Sequence, residues 1–340
     1  MKKEESKVIA QKLQKIPNGP LALKHCRAGG TGRTLFEEQF RAVTAGKGCV
    51  EAYETFPGIE VSFNVFLASE VKFRHDASDS VLEIYYCRSG RVGWNMQGGT
   101  AVYLGAGDVT AHSMACCADS AMMFPIGYSE GISISVDLKQ LSSICPEVLK
   151  NAGVEADQLR DRFCSGKPSA IPSCSDLEHI FAPLFSAPVS VRISLLKLKV
   201  LEILIYLSNM KSEYKELTQY FSQQTELIKE IHQQLTEHLD QRFTIEELSK
   251  QYLINTSTLK EIFKAVYGQP IATYMKEFRM RQAMKLLRET NATIADIASQ
   301  VGYQTQGKFS SAFQAIVKMS PREYRKIQGI APSDSFSKTL

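Results

Sequence analysis

Between Thr244 and Tyr324 one pattern of apolar residues occurs twice, about fifty residues apart, and this limits what that part of the chain can fold into. In the first copy Ile245, Leu248 and Tyr252 mark a short helix with Thr244 near its start, and Leu253–Asn255 break it. Leu259, Ile262, Phe263 and Val266 then recur at the spacing of a helix with one buried face, and Gly268 closes it. In the second copy Ile294, Ile297, Ala298 and Val301 follow Thr293, Gly302 supplies a tight turn, and Phe309, Ala312, Phe313 and Ile316 repeat the second stripe. Each copy ends on a tyrosine, Tyr274 and Tyr324. Two short helices, a brief turn and an inner apolar stripe describe a helix-turn-helix.

Ile271–Leu287, between the copies, is mostly Met, Lys, Arg, Ala and Leu, which favour an unbroken helix. At 1.5 Å per residue it spans roughly 25 Å. One turn of duplex DNA is about 34 Å. The lengths predict a rigid connector holding two recognition helices about a turn apart, with any shortfall met by bending the DNA.

The rest of the 340 residues reads differently. Ile59–Ala68, Val71–Phe73, Val81–Cys87, Gly90–Met96, Ala101–Leu104, Val109–His112 and Gly131–Val136 are short segments of alternating or apolar character with Gly and Asp between them. They predict a β-sandwich or small barrel. Leu138–Ser143, Pro146–Ala152, Ala156–Phe163 and Asp176–Phe185 read as short helices, and Val191–Met210 as a long one. Its apolar residues Ile193, Leu196, Val200, Ile203, Leu204 and Leu207 are widened by Leu195, Leu198, Leu201 and Ile205, so it is expected to be buried on more than one side. The spacing fits a dimer contact and burial within one subunit equally well. The fold class expected is α+β: a β-rich N-terminal domain with helices, then an all-α domain.

The net charge of +4 is too mild to require an acidic partner, but its placement is informative. Glu230–Gln328 hold 14 Lys/Arg against 10 Asp/Glu, which is the whole surplus. Met1–Lys15 lack the apolar core of a signal peptide, and no apolar run reaches membrane-spanning length. The 8 cysteines are scattered without a C-x-x-C pair, and buried thiols are expected. A reduced cytoplasmic protein without a membrane partner follows. No nucleophile constellation or phosphate-binding loop stands in the sequence. His75 and His112 are the histidines among the strands, and without an H-x-H they give little support to a metalloenzyme. No metal and no cofactor are expected.

The segments TIEELSKQYLINTSTLKEIFKAVYG and RMRQAMKLLRETNATIADIASQVGYQTQGKFSSAFQAIVKMSPREYR closely resemble the DNA-binding domain of AraC/XylS transcription regulators, over about Phe243–Arg325. The second copy carries the more specific motif: I-A-x-x-V-G-Y, F-x-x-x-F and S-P-x-x-Y-R. Lys318 and Leu253 stand where the family often has glycine, and Pro270 comes one position earlier than Pro321 does in the second copy. The strand set VLEIYYCRSGRVGWNMQGGTAVYLGAGDV resembles the cupin-like sensor domains of such regulators, and the order of elements resembles the pyochelin-regulator (PchR-like) branch, whose members sense a siderophore complex. The resemblance implies a ligand-responsive regulator, an activator, that places two recognition helices in successive major grooves. It implies double-stranded DNA as partner, a small-molecule effector, RNA polymerase as a candidate partner and a homodimer as a candidate assembly.

The organisation expected is 1–55 as an N-terminal extension and the start of the sensor, 56–210 as the β-rich ligand-sensing domain with trailing helices, 211–228 as linker, 229–328 as the double helix-turn-helix and 329–340 as a flexible tail. The buried stripes cannot read bases, so the exposed positions early in each second helix are the DNA-binding candidates. These are Ser257, Thr258, Lys260 and Glu261 in the first copy, and Gln306, Lys308, Ser310 and Ser311 in the second. Lys suits guanine, Gln adenine and Glu cytosine. Glu261 fits base reading and support of Lys264 equally. Lys264, Arg279, Lys308, Arg322 and Lys326 are candidates for phosphate, with Arg279 and Arg281 also placed to pair with Glu277. In the first half Phe63, Tyr85, Trp94 and Arg88 are candidate ligand-binding residues, with ordinary core packing the competing role for the aromatics. A dimerisation module without a ligand is the other reading of that half.

Overall fold

The computed structural model describes residues 2–19, 21–26, 43–72, 77–117, 120–164, 166–210 and 216–328. It divides into two units, Met1–Gln223 and Gln224–Leu340. His75, Phe73 and the tail 329–340 lie outside the described residues.

Among the described residues the first unit is built on eleven strands: β1 (Leu21–Cys26), β2 (Val43–Phe56), β3 (Ile59–Lys72), β4 (Val81–Gly90), β5 (Val92–Met96), β6 (Thr100–Leu104), β7 (Val109–Ser113), β8 (Ala121–Met123), β9 (Ser129–Asp137), β10 (Ser169–Ile171) and β11 (Tyr220–Phe221). Hydrogen bonds connect them in the order β10-β7-β4-β9-β3-β8-β5-β6-β11, with β2 on β3 and β1 parallel to β2. The sheet rolls up, because its two ends meet: Leu217 N donates to Ala170 O at 2.7 Å, just before β11 joins β6. The segment expected as a separate strand at Val71 is the end of β3, which runs on to pair with β8.

Alternation along the strands sorts the side chains onto two faces. Val61, Leu82, Ile84, Ile132, Ile134 and Val136 meet a layer of helices: α2 (Leu138–Ser143), α3 (Glu147–Asn151), α4 (Ala156–Phe163), α5 (Ser175–Phe181) and α6 (Arg192–Asn209). Leu196, Val200, Ile203, Leu204 and Leu207 of α6 are fully buried in this layer, so that stripe is occupied within the subunit. The opposite, inner face carries Phe66, Tyr85, Cys87, Val92, Trp94, Val102 and Leu104. An N-terminal helix, α1 (Lys2–Lys12), and the turn after it bury Ile9 and Leu13 against Tyr128. Lys12 and Arg88 both pair with Glu130, Arg88 at 3.4 Å.

This sorting divides the four candidate ligand residues. Tyr85 and Trp94 meet edge to face at 5.1 Å on the inner face. Phe63 packs on the helix side, edge to face with Tyr53 and Phe185, and Arg88 lies 4.2 Å above the Phe185 ring. The reason is register: β9 sits between β3 and β4 and pairs Ile132 with both Phe63 and Tyr86, so Phe63 shares its face with Tyr86 and not with Tyr85.

Among the described residues the second unit is all helical: α7 (Ser222–Glu237), α8 (Ile245–Gln251), α9 (Thr256–Tyr267), α10 (Ile271–Glu289), α11 (Ile294–Gln300), α12 (Gln306–Val317) and α13 (Pro321–Gln328). The expected linker 211–228 differs from this in its second half. Tyr220–Phe221 pair with β6, and a helix begins at Ser222. Residues 211–215 lie outside the described set. Ile228, Ile231 and Leu235 of α7, three and four apart, are buried, which is why the helix extends past the boundary expected at 228.

Candidate nucleic-acid interface

Each copy of the repeat forms two helices fixed by side-chain caps. Thr244 and Glu247 form a reciprocal capping box at the start of α8, and Thr293 and Asp296 form the equivalent at α11. A third such pair, Ser320 and Glu323, opens α13. Hydrogen bonds from the cap residues hold the Glu247, Asp296 and Glu323 carboxyls below their ordinary range. Asn255 caps α9, accepting from the backbone N and the hydroxyl of Ser257 at 2.9 and 2.6 Å. Thr305 caps α12 by accepting from Lys308 N.

The turn inside the first copy places Leu253 at φ +51°, and α12 ends on Lys318 at φ +65°. Both are left-handed positions that glycine fills without strain. Leu253 is 93% exposed, so it repays nothing by burial. Leu253→Gly and Lys318→Gly are each expected to raise the stability of this unit by about 1 kcal/mol, because the left-handed penalty for a side chain is roughly 1–2 kcal/mol. Urea titration followed by far-UV ellipticity checks this; a lowered midpoint in both variants would refute the strain.

The apolar stripes turn inward as their spacing requires. Leu259, Ile262, Phe263 and Val266 are buried in α9, and Phe309 and Phe313 in α12. Ile316 departs from the expected stripe: it is 37% exposed in the last turn of α12, beyond the packed part of that helix. Between the copies α10 has 19 residues, about 28 Å of unbroken helix. Its first half places Tyr274 against Phe263 and Tyr267, and its second half places Met280, Ala283, Met284 and Leu287 in the core of the second copy. The two second helices are thus anchored to opposite ends of one rod.

The outward faces hold the sequence candidates. In α9 Ser257, Lys260, Glu261 and Lys264 are exposed and Thr258 is half-buried. The spacing from 257 through 260–261 to 264 puts them on one face. Ser257 also spends its hydroxyl on the Asn255 cap. In α12 Gln306, Lys308 and Ser311 are exposed and Ser310 is half-buried. Gln314, exposed one turn beyond Ser311, extends that face; its three-residue step from Ser311 was the available signal. Arg322 and Lys326 are exposed on α13.

Arg279 is tied into the unit through one of its guanidinium nitrogens. Its guanidinium donates to Gln241 O at 3.0 Å, beside Gly302, and burial lowers its pKa. Arg281 lies 3.9 Å from Glu277 and over the rings of Tyr274 and Phe278. Under the first copy His232 of α7 stacks on Tyr267 at 4.3 Å, with Nε2 2.8 Å from the Tyr274 hydroxyl. Desolvation, with Arg281 nearby, pushes its pKa down to about 4. Sequence spacing gave no hint of this contact, because His232 comes from outside the repeat.

Comparison with known proteins places a match on the same residues. Residues 248–327 fit the family model described as a helix-turn-helix domain. Over 84 residues the chain is 39% identical to an AraC-like transcription regulator of Streptomyces lividans, covering 25% of this chain and 28% of that protein. Over 87 residues it is 33% identical to the HTH-type transcriptional activator RhaR of Mannheimia succiniciproducens, covering 26% of this chain and 32% of that one. The chain thus spans about a third or less of the length of the curated relatives it matches. Among solved structures, the C-terminal domain of AraT, a response regulator from Geobacillus stearothermophilus, is similar at 28% identity and a TM-score of 0.31, over 33% of this chain and 93% of that one.

Proposed function

We propose, from the AraC-type helix-turn-helix domain that residues 248–327 form, that this chain is a sequence-specific DNA-binding transcription regulator. It inserts α9 and α12 into successive major grooves on one side of a duplex. The observation that carries this reading is the rod α10, with a capped, outward-facing polar helix fixed near each end. Lys260 and Glu261 of α9 and Gln306 of α12 have the chemistry to read base edges. Lys264 and Lys308 have the charge for phosphate.

In this reading the first unit is a cupin-like sensor of a small molecule, and the regulator is an activator in the cytoplasm that works with RNA polymerase. Self-association would use surface other than the α6 stripe, which is buried within the subunit. The aromatic pair on the inner face of the rolled sheet supports a ligand there.

Electrophoretic mobility shifts with the full chain test the DNA reading. Binding to a selected site should survive excess random duplex and fall steeply with salt. Equal affinity for selected and random DNA would overturn it. Lys264→Ala, at an exposed position, should weaken selected and random DNA alike and reduce the salt slope by about 1. An unchanged slope would remove Lys264 from the phosphate contacts.

A further inference from the structure

Among the described residues one glycine lies inside an α-helix: Gly307, in the first turn of α12. A glycine within a helix weakens it relative to alanine, because more backbone freedom is lost on folding. A fold keeps a glycine for a left-handed backbone or for the close approach of a neighbouring group. Gly302 has both reasons and Gly268 has the first. Gly307 has neither. Its backbone is that of the helix around it, without a positive φ. A Cβ placed on it would meet nothing within 4 Å beyond its immediate surroundings in the helix.

The internal repeat leads to the same conclusion by a separate route. Thr305 caps α12 two residues before Gly307, as Asn255 caps α9 two residues before Ser257. Phe309 and Leu259 follow at equal distance, and both are buried. Ser257 thus holds in the first copy the place that Gly307 holds in the second. A side chain fits there, and its hydroxyl joins the cap, 2.6 Å from Asn255 Oδ1. The helix-turn-helix scaffold itself does not require a glycine at this place.

Its position on the helix supplies the reason. Phe309 and Phe313 turn into the core of the second copy. At about 100° per residue Gly307 points away from them, on the face shared with Ser310, Ser311 and Gln314, three, four and seven residues on. Exposed Gln306 and Lys308 flank it. In α9 the same three steps after Ser257 lead to Lys260, Glu261 and Lys264. The outward face of α9 therefore reaches out through long side chains, whereas that of α12 is short, with bare backbone at its middle.

We propose that Gly307 is a contact residue of the DNA interface: base edges in the major groove lie against the α12 backbone there, in the room the missing Cβ leaves. The proposal rests on the reading of the chain as a DNA-binding regulator and names the point at which α12 seats closest to the bases. Selection at that point is by shape, and glycine carries it at a cost to the free helix.

Gly307→Ala and Gly307→Leu in the full chain test this, by mobility shift on a site selected from random duplex by the wild type and on random duplex. Alanine and leucine both favour helices over glycine, so far-UV ellipticity should place the urea midpoint of each variant at or above that of the wild type. A firmer α12 would by itself favour binding. Gly307→Ala should nonetheless bind the selected site at least tenfold more weakly, Gly307→Leu more weakly still, and random duplex should lose less than the selected site. Unchanged or tighter binding by Gly307→Ala would overturn the proposal, and so would a lowered midpoint in that variant, which would give the glycine a role inside the fold. Equal losses in the two variants would assign the effect to lost helix flexibility, and equal losses on selected and random duplex would remove the base edges; either result overturns it. A wild type that does not distinguish selected from random duplex would overturn the DNA reading as well, an outcome separate from a discriminating wild type matched by its alanine variant.

Discussion

Replacing Gly302 by alanine is expected to unfold the second helix-turn-helix or to destabilise it by about 2–5 kcal/mol, combining the left-handed penalty with overpacking. Gly302 sits at φ +79° in the turn between α11 and α12. A Cβ there would stand 2.0 Å from Leu239 O and 3.1 Å from the Arg279 guanidinium. The guanidinium can move, but the carbonyl belongs to the backbone between α7 and α8. Relief therefore requires the two segments to part, and Arg279 would lose its bond to Gln241 O as they do. The readout separates the units. Far-UV ellipticity should lose part of its helical transition, while Trp94 fluorescence, which reports on the first unit, should keep its midpoint. A Gly302→Ala variant with a wild-type helical midpoint would show that the close approach is not real.

Acid should weaken the second unit well before its carboxylates titrate. His232 is held near 4 in the fold against an ordinary 6.5, chiefly by desolvation against Tyr267 and Tyr274. Between those values the unfolded chain takes up a proton that the folded chain refuses. Stability is thus intact above about pH 7, falls as pH drops through 6.5 and levels off below 4. The full loss is at most about 3.5 kcal/mol, at about 1.36 kcal/mol per pKa unit, and less to the extent that His232 stays in contact with solvent. The capping carboxylates Glu247, Asp296 and Glu323 have lowered pKa values, so their contribution is lost below about 4.5, outside the window from 6.5 to 5. Urea midpoints at pH 7.5 and 5.0 should differ in the wild type and nearly coincide in His232→Phe. That variant starts lower, because it leaves the Tyr274 hydroxyl without its 2.8 Å partner. Equal pH dependence in the two proteins would mean that His232 is not the group responsible.

The second unit was legible from sequence because its information is local. Apolar residues at helical spacing fixed the inner faces of α9 and α12, and Thr244, Thr293 and Gly302 marked starts and turns within a few residues of what they cap. The departures came from elements outside the repeat. The stripe Ile228, Ile231 and Leu235 in α7 was readable, but the polar residues around it read as linker. The Arg279 bond to the Gln241 carbonyl was hidden because its acceptor lies 38 positions away.

The first unit was less legible because a strand's face depends on its neighbour's register. Alternation in β3 and β4 could be read, but whether Phe63 shares a side with Tyr85 is decided by β9, which pairs with both strands. The same uncertainty hid a polar row: Glu60, Glu83, His112 and Ser135 come from four strands and become neighbours only through pairing. The three-residue strands β8 and β10 and the two-residue β11 carry too little alternation to announce themselves.

The central claim is that α10 holds α9 and α12 as one rigid reader of one face of a duplex. Hydroxyl-radical footprinting tests it most directly, on a site selected from random DNA by the full chain. The account predicts two protected patches about one helical turn apart on the same face, with five base pairs inserted between them abolishing high-affinity binding. A single patch, or affinity indifferent to the insertion, would contradict it.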